Sequence, residues 1–210
     1  MNTNPFSIAT SILIGIFLIS SCTYEKCCSG DPTKIIGTGE LVEQTISLSD
    51  FNKLELTGAA SITVTKSKVL SVKITAQQNI LDVLKHEVVN KEFKIGFDNN
   101  TSVQTSTGVF VEISTPSSIT DVSIIGAGKF IISGDKQASF AGVITGAGEI
   151  DAYGLEVDKF SINISGAGSC KAKVNNELNV VIAGTGAVKY KGNPTVNKTI
   201  AGIGAVSNDN

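Results

Sequence analysis

Apolar and polar residues alternate along most of the chain beyond residue 35. On either side of a Gly-Ala-Gly unit, for example, Val122, Ile124, Phe130 and Ile132 occupy alternate positions. A period of two places successive side chains on opposite faces of a β-strand. The alternation predicts strands throughout the second half of the chain and, in the first half, at 53–56, 61–65, 70–75, 92–97 and 109–114.

One stretch of the first half follows a helical period instead. Ile80, Leu81 and Leu84 fall on one side of a helix over 79–87, and asparagine, as at Asn79, is a residue type that caps helix N-termini. The polar segment 98–102 is typical of a turn or loop. The sequence therefore predicts one short helix and one loop among the strands of this half.

A unit that contains two glycines recurs five times in the second half of the chain. The first glycines of successive copies are separated by 20, 20, 18 and 18 residues, which is typical of a repeat architecture. Segments 37–39 and 58–60 are interpreted as degenerate outlying copies. Because glycine lacks Cβ and adopts positive φ without strain, we predict structural turn glycines at Gly126, Gly128, Gly146, Gly148, Gly166, Gly168, Gly184, Gly186, Gly202 and Gly204.

The length of the repeat bears on the fold. A copy of this size is long enough for one turn of a parallel β-helix, whose successive turns stack about 4.8 Å apart. An antiparallel meander or sandwich is the alternative, and in it each copy would be a hairpin with its glycines near the turn. The sequence predicts an all-β fold, and the residues leave both arrangements open.

The amino terminus has the features of an export signal. Residues 1–21 carry no charged side chain, and their apolar run 12–19 is too short to span a bilayer. The segment Leu18-Ile19-Ser20-Ser21-Cys22 resembles the lipobox of bacterial lipoproteins. This resemblance implies a signal peptide at 1–21, lipid attachment at Cys22 and a lipidated tether at 22–35. Thr23 stands where an inner-membrane lipoprotein has aspartate, which favours the outer membrane.

Three further cysteines follow Cys22. Cys27 and Cys28 are adjacent within the tether, where a metal site, a bridge to another chain and no role at all remain open. Cys170 falls on the inward positions of a predicted strand. We therefore predict that Cys170 is a buried structural thiol and not a reactive one.

The order of motifs along the chain resembles a known family. The segment 50–56 (DFNKLEL), the segment 91–95 (KEFKI), the serial Gly-x-Gly copies and the ending 187–194 (AVKYKGNP) carry the resemblance. On these motifs the chain is similar to the putative auto-transporter adhesin, head GIN domain family, over 36–208. The resemblance implies a right-handed single-stranded parallel β-helix, within which the residue pattern distinguishes an irregular half at 36–119 and a repeat half at 120–206. It also implies a role in adhesion or surface interaction.

Composition argues against several functional classes. Charged residues make up 17% of the chain, the net charge is −2, and no lysine run is long enough to neutralise several phosphates. We therefore expect no nucleic-acid partner. The unit 126–129 lacks the spacing of a phosphate loop, and only 148–151 approximates a calcium-binding repeat. We expect no cofactor and, apart from the open question at Cys27 and Cys28, no metal site.

Two carboxylates are the best candidates for catalysis. Glu149 and Asp151 lie on one outward strand face about 7 Å apart, a spacing that suits hydrolysis of a sugar bond. The chain has no arginine to clamp a substrate, and its one histidine, His86, falls in the predicted helix. We therefore predict that the protein is not an enzyme. A β-helix polysaccharide lyase or hydrolase is the alternative.

The sequence predicts a lipid-anchored outer-membrane protein that acts as an adhesin or surface-interaction module for an unknown protein or glycan. A purely structural envelope protein is a further alternative. The last copy ends at Val206, which leaves little chain to cover the final strands. Because uncovered strand edges invite pairing, a homo-oligomer or another partner is expected at this end.

Overall fold

The structure is a computed structural model that describes residues 33–210. The predicted signal peptide, Cys22, Cys27 and Cys28 lie outside the described residues. No helix within residues 33–210 is long and apolar enough to cross a membrane.

Strands dominate the described part of the chain. Each of the five strands predicted in the first half overlaps an observed strand. In chain order the elements are β1 (Thr33–Ile36), β2 (Leu41–Ile46), β3 (Lys53–Gly58), β4 (Ser61–Lys66), β5 (Ser71–Gln77), α1 (Gln78–Leu81), β6 (Lys85–Val89), β7 (Glu92–Gly96), β8 (Thr101–Gln104), β9 (Phe110–Thr115), β10 (Asp121–Gly126), β11 (Lys129–Ser133), β12 (Gln137–Gly146), β13 (Glu149–Gly166), β14 (Ser169–Gly184), β15 (Ala187–Lys191), β16 (Thr195–Gly202) and β17 (Ala205–Asn208).

The glycine copies stack on one another in parallel and in register. The strand segments before each glycine pair form the pre-glycine stack, in the order β3, β10, β12, β13, β14 and β16. The segments after each pair form the post-glycine stack, in the order β4, β11, β13, β14, β15 and β17. Gly58 aligns with Gly126, so segment 58–60 belongs to the series. Segment 37–39 lies outside it, because it follows β1, which pairs with β8.

The core consists of the inward side chains of both stacks. In the pre-glycine stack, Ile124, Ile144, Ile164 and Ile182 form one column, and each is fully buried. Complete burial of one such side chain contributes about 1.5–3 kcal/mol to the free energy of unfolding. Each layer therefore depends for its stability on the layers above and below it.

The two glycines of each copy have different structural roles. The first forms the corner, with φ between +120° and +134°, and a Cβ on Gly166 would lie 2.3 Å from the carbonyl oxygen of Gly146. The second faces inward, and a Cβ on Gly168 would lie 2.8 Å from Cγ2 of Ile144. By the parity of the alternation, both glycines of a copy would fall in the inward row. Only the second lies there, because the positive φ of the first turns the chain.

Antiparallel strands are added at the N-terminal end of the stacks. β5 pairs antiparallel with β9, β2 pairs antiparallel with β5, and β6 pairs antiparallel with β7. The predicted all-β fold is confirmed, and its main sheet is curled and mixed. Mixed pairing does not establish a right-handed single-stranded parallel β-helix for the domain, and it favours the alternative that contains antiparallel strands.

The prediction of a helix over 79–87 is wrong beyond Leu81. One turn, Gln78–Leu81, buries Ile80 and Leu81, and the chain then enters β6 at Lys85. Residues Asn90 and Lys91, both with positive φ, form the two-residue turn between β6 and β7. This hairpin supplies antiparallel hydrogen bonds that outweigh the weak helical period.

Asn79 does not cap the helix, whose N-cap is Gln77. Its Nδ2 donates to the carbonyl oxygen of Ile36 at 2.7 Å, and its Oδ1 accepts from the backbone N–H of Thr38 at 3.1 Å. Asn79 thus holds the chain that leaves β1. The predicted loop at 98–102 is also only partly correct, because β8 begins at Thr101 and pairs in parallel with β1.

Candidate binding faces

Outward side chains of the pre-glycine stack form a face without charge. On β12, β13, β14 and β16 they occupy three successive outward positions before each glycine corner. All are small, hydroxyl-bearing, amide-bearing or aliphatic. This uncharged face consists of Ala141, Val143, Thr145, Ser161, Asn163, Ser165, Asn179, Val181, Ala183, Asn197, Thr199 and Ala201.

In-register pairing arranges this face as a grid. One column runs Val143, Asn163, Val181 and Thr199, with neighbours about 4.8 Å apart. Val143 and Val181 are 41% and 44% exposed, which is high for aliphatic side chains within a sheet. An exposed amide therefore lies between two exposed aliphatic side chains.

A second column of the grid is polar and hydrogen bonded. Asn197 Nδ2 donates to Asn179 Oδ1 at 2.9 Å, and Asn179 Nδ2 donates to Glu177 Oε1 at 2.9 Å. Ser161 precedes Asn179 in the same column. The side-chain amides of Asn179 and Asn197 are thus held in place by each other and by Glu177.

A shallow hollow of about 330 Å³ adjoins the uncharged face, and its lining includes Ser139, Ser161 and Asn179. Three charged residues stand at its rim, where Lys159 forms an ion pair with Glu177 at 3.3 Å and Asp121 forms one with Lys53 at 3.9 Å. Hydrogen bonds from Asn179 and Lys159 hold the pKa of Glu177 below its usual range. The rim charges therefore neutralise each other.

The outward side chains of the post-glycine stack form the post-glycine face. In contrast to the uncharged face, it is charged, and it contains the predicted carboxylate pair. Glu149 and Asp151 both lie on outward positions of β13, as predicted. Lys171 Nζ lies 3.3 Å from Glu149 Oε1 and 3.4 Å from Asp151 Oδ2, and Lys129 lies 3.1 Å from Glu149 Oε2. Both acids are therefore bound by lysines.

The protonation of Glu149 does not suit an acid catalyst. Burial by itself raises the pKa of Glu149, but hydrogen bonds from Lys129 and Lys171, together with their charges, leave this pKa below its usual value. A glycosidase needs one carboxyl group whose pKa is raised, so that it stays protonated. The pair is arranged as an ion-pair ladder.

His86 lies on the edge strand β6, where it is exposed, and not on a helix. It lines a hollow of about 560 Å³ with Lys85, Glu87 and Lys94. Because β6 joins the sheet through β7, the structure does not bring His86 together with the post-glycine acids. No site is formed from the three titratable residues that the sequence singled out.

Cys170 is buried, as its strand position predicts. It lies in an inward column between Ile150 and Val188, and burial raises the pKa of its thiol. A thiol with a raised pKa is a poor nucleophile and a poor metal ligand at neutral pH. Within residues 33–210, no three His, Cys, Asp or Glu side chains are grouped to hold a metal ion.

The uncharged face was not recognised in the sequence. Its residues are ordinary ones, and their common property appears only when the copies are aligned by their glycines. The positions one, three and five before each first glycine from Gly146 to Gly202 contain no charged residue. Reading the outward positions by column, instead of along the chain, would have identified it.

Comparisons with known proteins agree with the resemblance seen in the motifs. A family model described as "Putative auto-transporter adhesin, head GIN domain" matches residues 50–141 and 118–194. A putative adhesin from Bacteroides fragilis has a TM-score of 0.51 at 18% identity, with 83% of this chain and 100% of that chain covered. A putative lipid binding protein from Parabacteroides distasonis has a TM-score of 0.49 at 20% identity, with 85% and 100% covered. No curated protein matches the chain in sequence.

Proposed function

Since this chain belongs to the putative auto-transporter adhesin, head GIN domain family, we propose that it is a non-enzymatic surface-interaction module of the cell envelope. The observation that carries the proposal is the contrast between its two outward faces. One face is exposed and uncharged, whereas the acids of the other are bound by lysines. An exposed sheet face without charge shares with binding interfaces their depletion of charged residues.

Binding without catalysis is tested by direct assay of turnover. The purified domain is incubated with neutral and acidic polysaccharides, and reducing ends and unsaturated products are measured. We expect no product above the background of the Glu149→Gln variant. Product that forms with the wild type and is lost in Glu149→Gln would instead support a β-helix lyase or hydrolase.

A purely structural envelope role is the remaining alternative. We expect the domain to retain at least one envelope component, glycan or cell type in a binding screen. The control is a domain with Val181→Glu, which places a charge in the centre of the uncharged face. If the wild type and Val181→Glu are both retained only at background level by every envelope component, glycan and cell type, the purely structural role is favoured.

Two features of the stacks support a more specific architecture, in which the serial copies wind as a single-stranded parallel β-helix that carries the antiparallel strands at one end. The family resemblance implies that this helix is right-handed. Every successive copy pairs in parallel with the one before it. The carbonyl oxygen of each first glycine also accepts a backbone N–H from the next copy, as from Ala147 to Gly126 at 2.8 Å. A crystal structure with hairpins at the glycine corners would contradict this architecture.

A lipid anchor at Cys22 completes the proposal and places the domain at the outer membrane. The support is the lipobox-like segment 18–22, and a family of this kind suggests a cell-surface or envelope location. Metabolic labelling with an acyl analogue should label the wild type and the Cys28→Ala control but not Cys22→Ala. Label that persists in Cys22→Ala would contradict the anchor.

The uncovered last strands led to the prediction of a homo-oligomer or another partner at this end, but the residues of these strands lead us to expect only weak self-association. Within residues 33–210, β16 pairs only with β14 and β17 only with β15, so this edge is open. Lys198 occupies an inward column there, and neither β16 nor β17 contains an acid that could face it in a second copy. Light scattering over a dilution series should give the monomer mass at micromolar concentration. A dilution-resistant dimer would contradict this expectation.

A further inference from the structure

We propose that the uncharged face binds a neutral glycan, with the adjoining hollow as one end of the site. This inference rests on the proposed function as a surface-interaction module and names its ligand class. The face has three relevant properties, which are the absence of charge, the alternation of aliphatic and amide groups, and its limited area.

The absence of charge excludes ligands that require an ionic partner. The twelve outward residues contain no lysine, aspartate or glutamate, and the charged residues that line the hollow are ion-paired, Lys159 with Glu177 and Asp121 with Lys53. An anionic ligand would lose its hydration without gaining a counter-charge. A neutral polyol loses no ionic hydration and can exchange its water hydrogen bonds for those of hydroxyls and amides.

Side chains on the face alternate in the way a sugar ring requires. Sugar rings present apolar C–H groups on their faces and hydroxyl groups around their edges. Val143 and Val181 are exposed two layers apart, and Asn163 lies between them with both an amide donor and an acceptor. The valines can contact ring faces while Asn163 binds the hydroxyls of the ring between them.

The layer spacing suits a chain of sugars that crosses the strands. Successive layers are about 4.8 Å apart, which is comparable with the length of one pyranose unit. Ser161, Asn179 and Asn197 form the parallel column beside the valines. Each sugar unit of a linear glycan would therefore meet one layer, with polar groups along one edge of the chain.

Area distinguishes a glycan from a protein partner. Four strands and three outward positions cover about 300 Å², whereas a stable protein interface buries about 800 Å² on each partner. The hollow of about 330 Å³ is at the lower end of the volumes found for small-ligand sites. The face is thus too small for a stable protein complex by itself and is of the right size for a short oligosaccharide.

The decisive experiment compares matched substitutions on the two faces. The purified wild-type domain, Val181→Glu, Asn163→Ala and the control Ile131→Glu are applied to an array of neutral and acidic oligosaccharides. Ile131 is an exposed aliphatic residue on an outward position of the post-glycine stack, so its change matches Val181→Glu in chemistry but not in location. Thermal unfolding of each variant establishes that it is folded.

We expect the wild type and Ile131→Glu to bind the same neutral oligosaccharides. Val181→Glu and Asn163→Ala should each weaken this binding by about tenfold or more in titration calorimetry. Binding to acidic glycans alone, or neutral-glycan binding that Val181→Glu leaves intact, would overturn the proposal.

The proposed function and the glycan inference can fail separately. If no neutral glycan binds but the domain adheres to cells or envelope proteins, and Val181→Glu abolishes adhesion, then the face is a protein interface and the glycan inference is wrong. If the wild type binds no glycan, cell or envelope protein, both the inference and the surface-interaction module are wrong.

Discussion

The two ends of the stacked sheet are closed in different ways. At the N-terminal end, α1 and the added antiparallel strands cover the core, and Ile80 and Phe93 are completely buried. At the C-terminal end, Val196, Ile200 and Val206 in β16 and β17 are only partly buried. An apolar inward side chain is thus fully buried where its layer has neighbours on both sides and only partly buried where one neighbour is missing.

Polar residues take the place of a covering element at the C-terminal end. Lys198 continues the inward column of Ile162 and Val180, and Asn208 continues the column of Ala172 and Tyr190. A lysine stem can cover an apolar neighbour while its ammonium group reaches water. Inward charges on edge strands also oppose pairing with another sheet. The comparison indicates that additional strands and a helical turn cover the core at the N-terminal end. At the C-terminal end, polar residues replace apolar ones at inward positions of the last copy.

Truncation of an isoleucine in an inward column should have the largest effect on the free energy of unfolding, and this effect should differ between layers. Ile164→Ala removes a fully buried side chain that lies between two layers, so we expect a loss of about 2–5 kcal/mol in the free energy of unfolding. Ile200→Ala, in the same column of the last layer, should lose about 1 kcal/mol because its site is already half open. Urea denaturation measures both. Equal losses would show that the last layer is covered in solution.

Alanine at a corner glycine should likewise destabilise the fold more in a middle layer than in the last layer. Gly166→Ala places a Cβ against the carbonyl oxygen of Gly146 at positive φ, and we expect a loss of about 3 kcal/mol. Gly202→Ala has the same conflict with Gly184, but an edge strand can move away, so about 1 kcal/mol is expected. Thermal unfolding tests this ranking. Two tolerated alanines would contradict the role assigned to the first glycines.

Lys198→Val should convert the last layer into an apolar edge. Since the charge in its inward column is then lost, we expect concentration-dependent association that the wild type lacks. Lys173→Val, a lysine on the outward post-glycine face, is the control. Light scattering gives the mass of each species. If Lys198→Val stays monomeric at high concentration, Lys198 does not protect this edge.

Ion pairs on the middle layers should give a small dependence on pH. Hydrogen bonds from Lys173 and Asn175 lower the pKa of Glu156, and those from Asn175 and Lys136 lower the pKa of Asp158. A carboxyl group whose pKa is lower in the folded state stabilises the fold above its unfolded pKa, and this contribution is lost as the pH falls. The melting temperature should therefore be flat at neutral pH and fall below about pH 4. The fall should be smaller for Glu156→Gln and at high salt. An identical acid profile for Glu156→Gln would show that its pairs contribute nothing.

Local alternation was sufficient to predict the strands, because the inward columns require it in every layer. It could not predict the N-terminal elements equally well. The helical period at Ile80, Leu81 and Leu84 covers too few residues to outweigh the pairing of β6 with β7. The strand β8 was missed because Asp98, Asn99 and Asn100 are turn formers, while the hydrogen bonds that create β8 come from β1, distant in sequence.

Chemistry was harder to predict than the fold. The sequence located Glu149 and Asp151 correctly on one face, but the lysines that neutralise them are 20 or 22 residues away, in neighbouring layers. The uncharged face depends on the same cross-layer relation. Properties of a stacked sheet are set by columns, and a column is visible in a single sequence only after the register is known.

The irregular pairing of β13 with β14 has a consequence for how such a chain can change in length. Tyr153, Gly154 and Leu155 of β13 have no aligned partner, because the β13 residues on either side of them align with two consecutive residues of β14. Farther along, β14 in turn has one residue more than β13 between aligned positions. The net difference of two residues accounts for the step from 20 to 18 in the repeat, yet Gly166 still meets Gly184. Insertions and deletions at this bend can therefore accumulate without disturbing the grid of outward side chains, so the surface chemistry and the repeat length of this architecture are free to evolve independently.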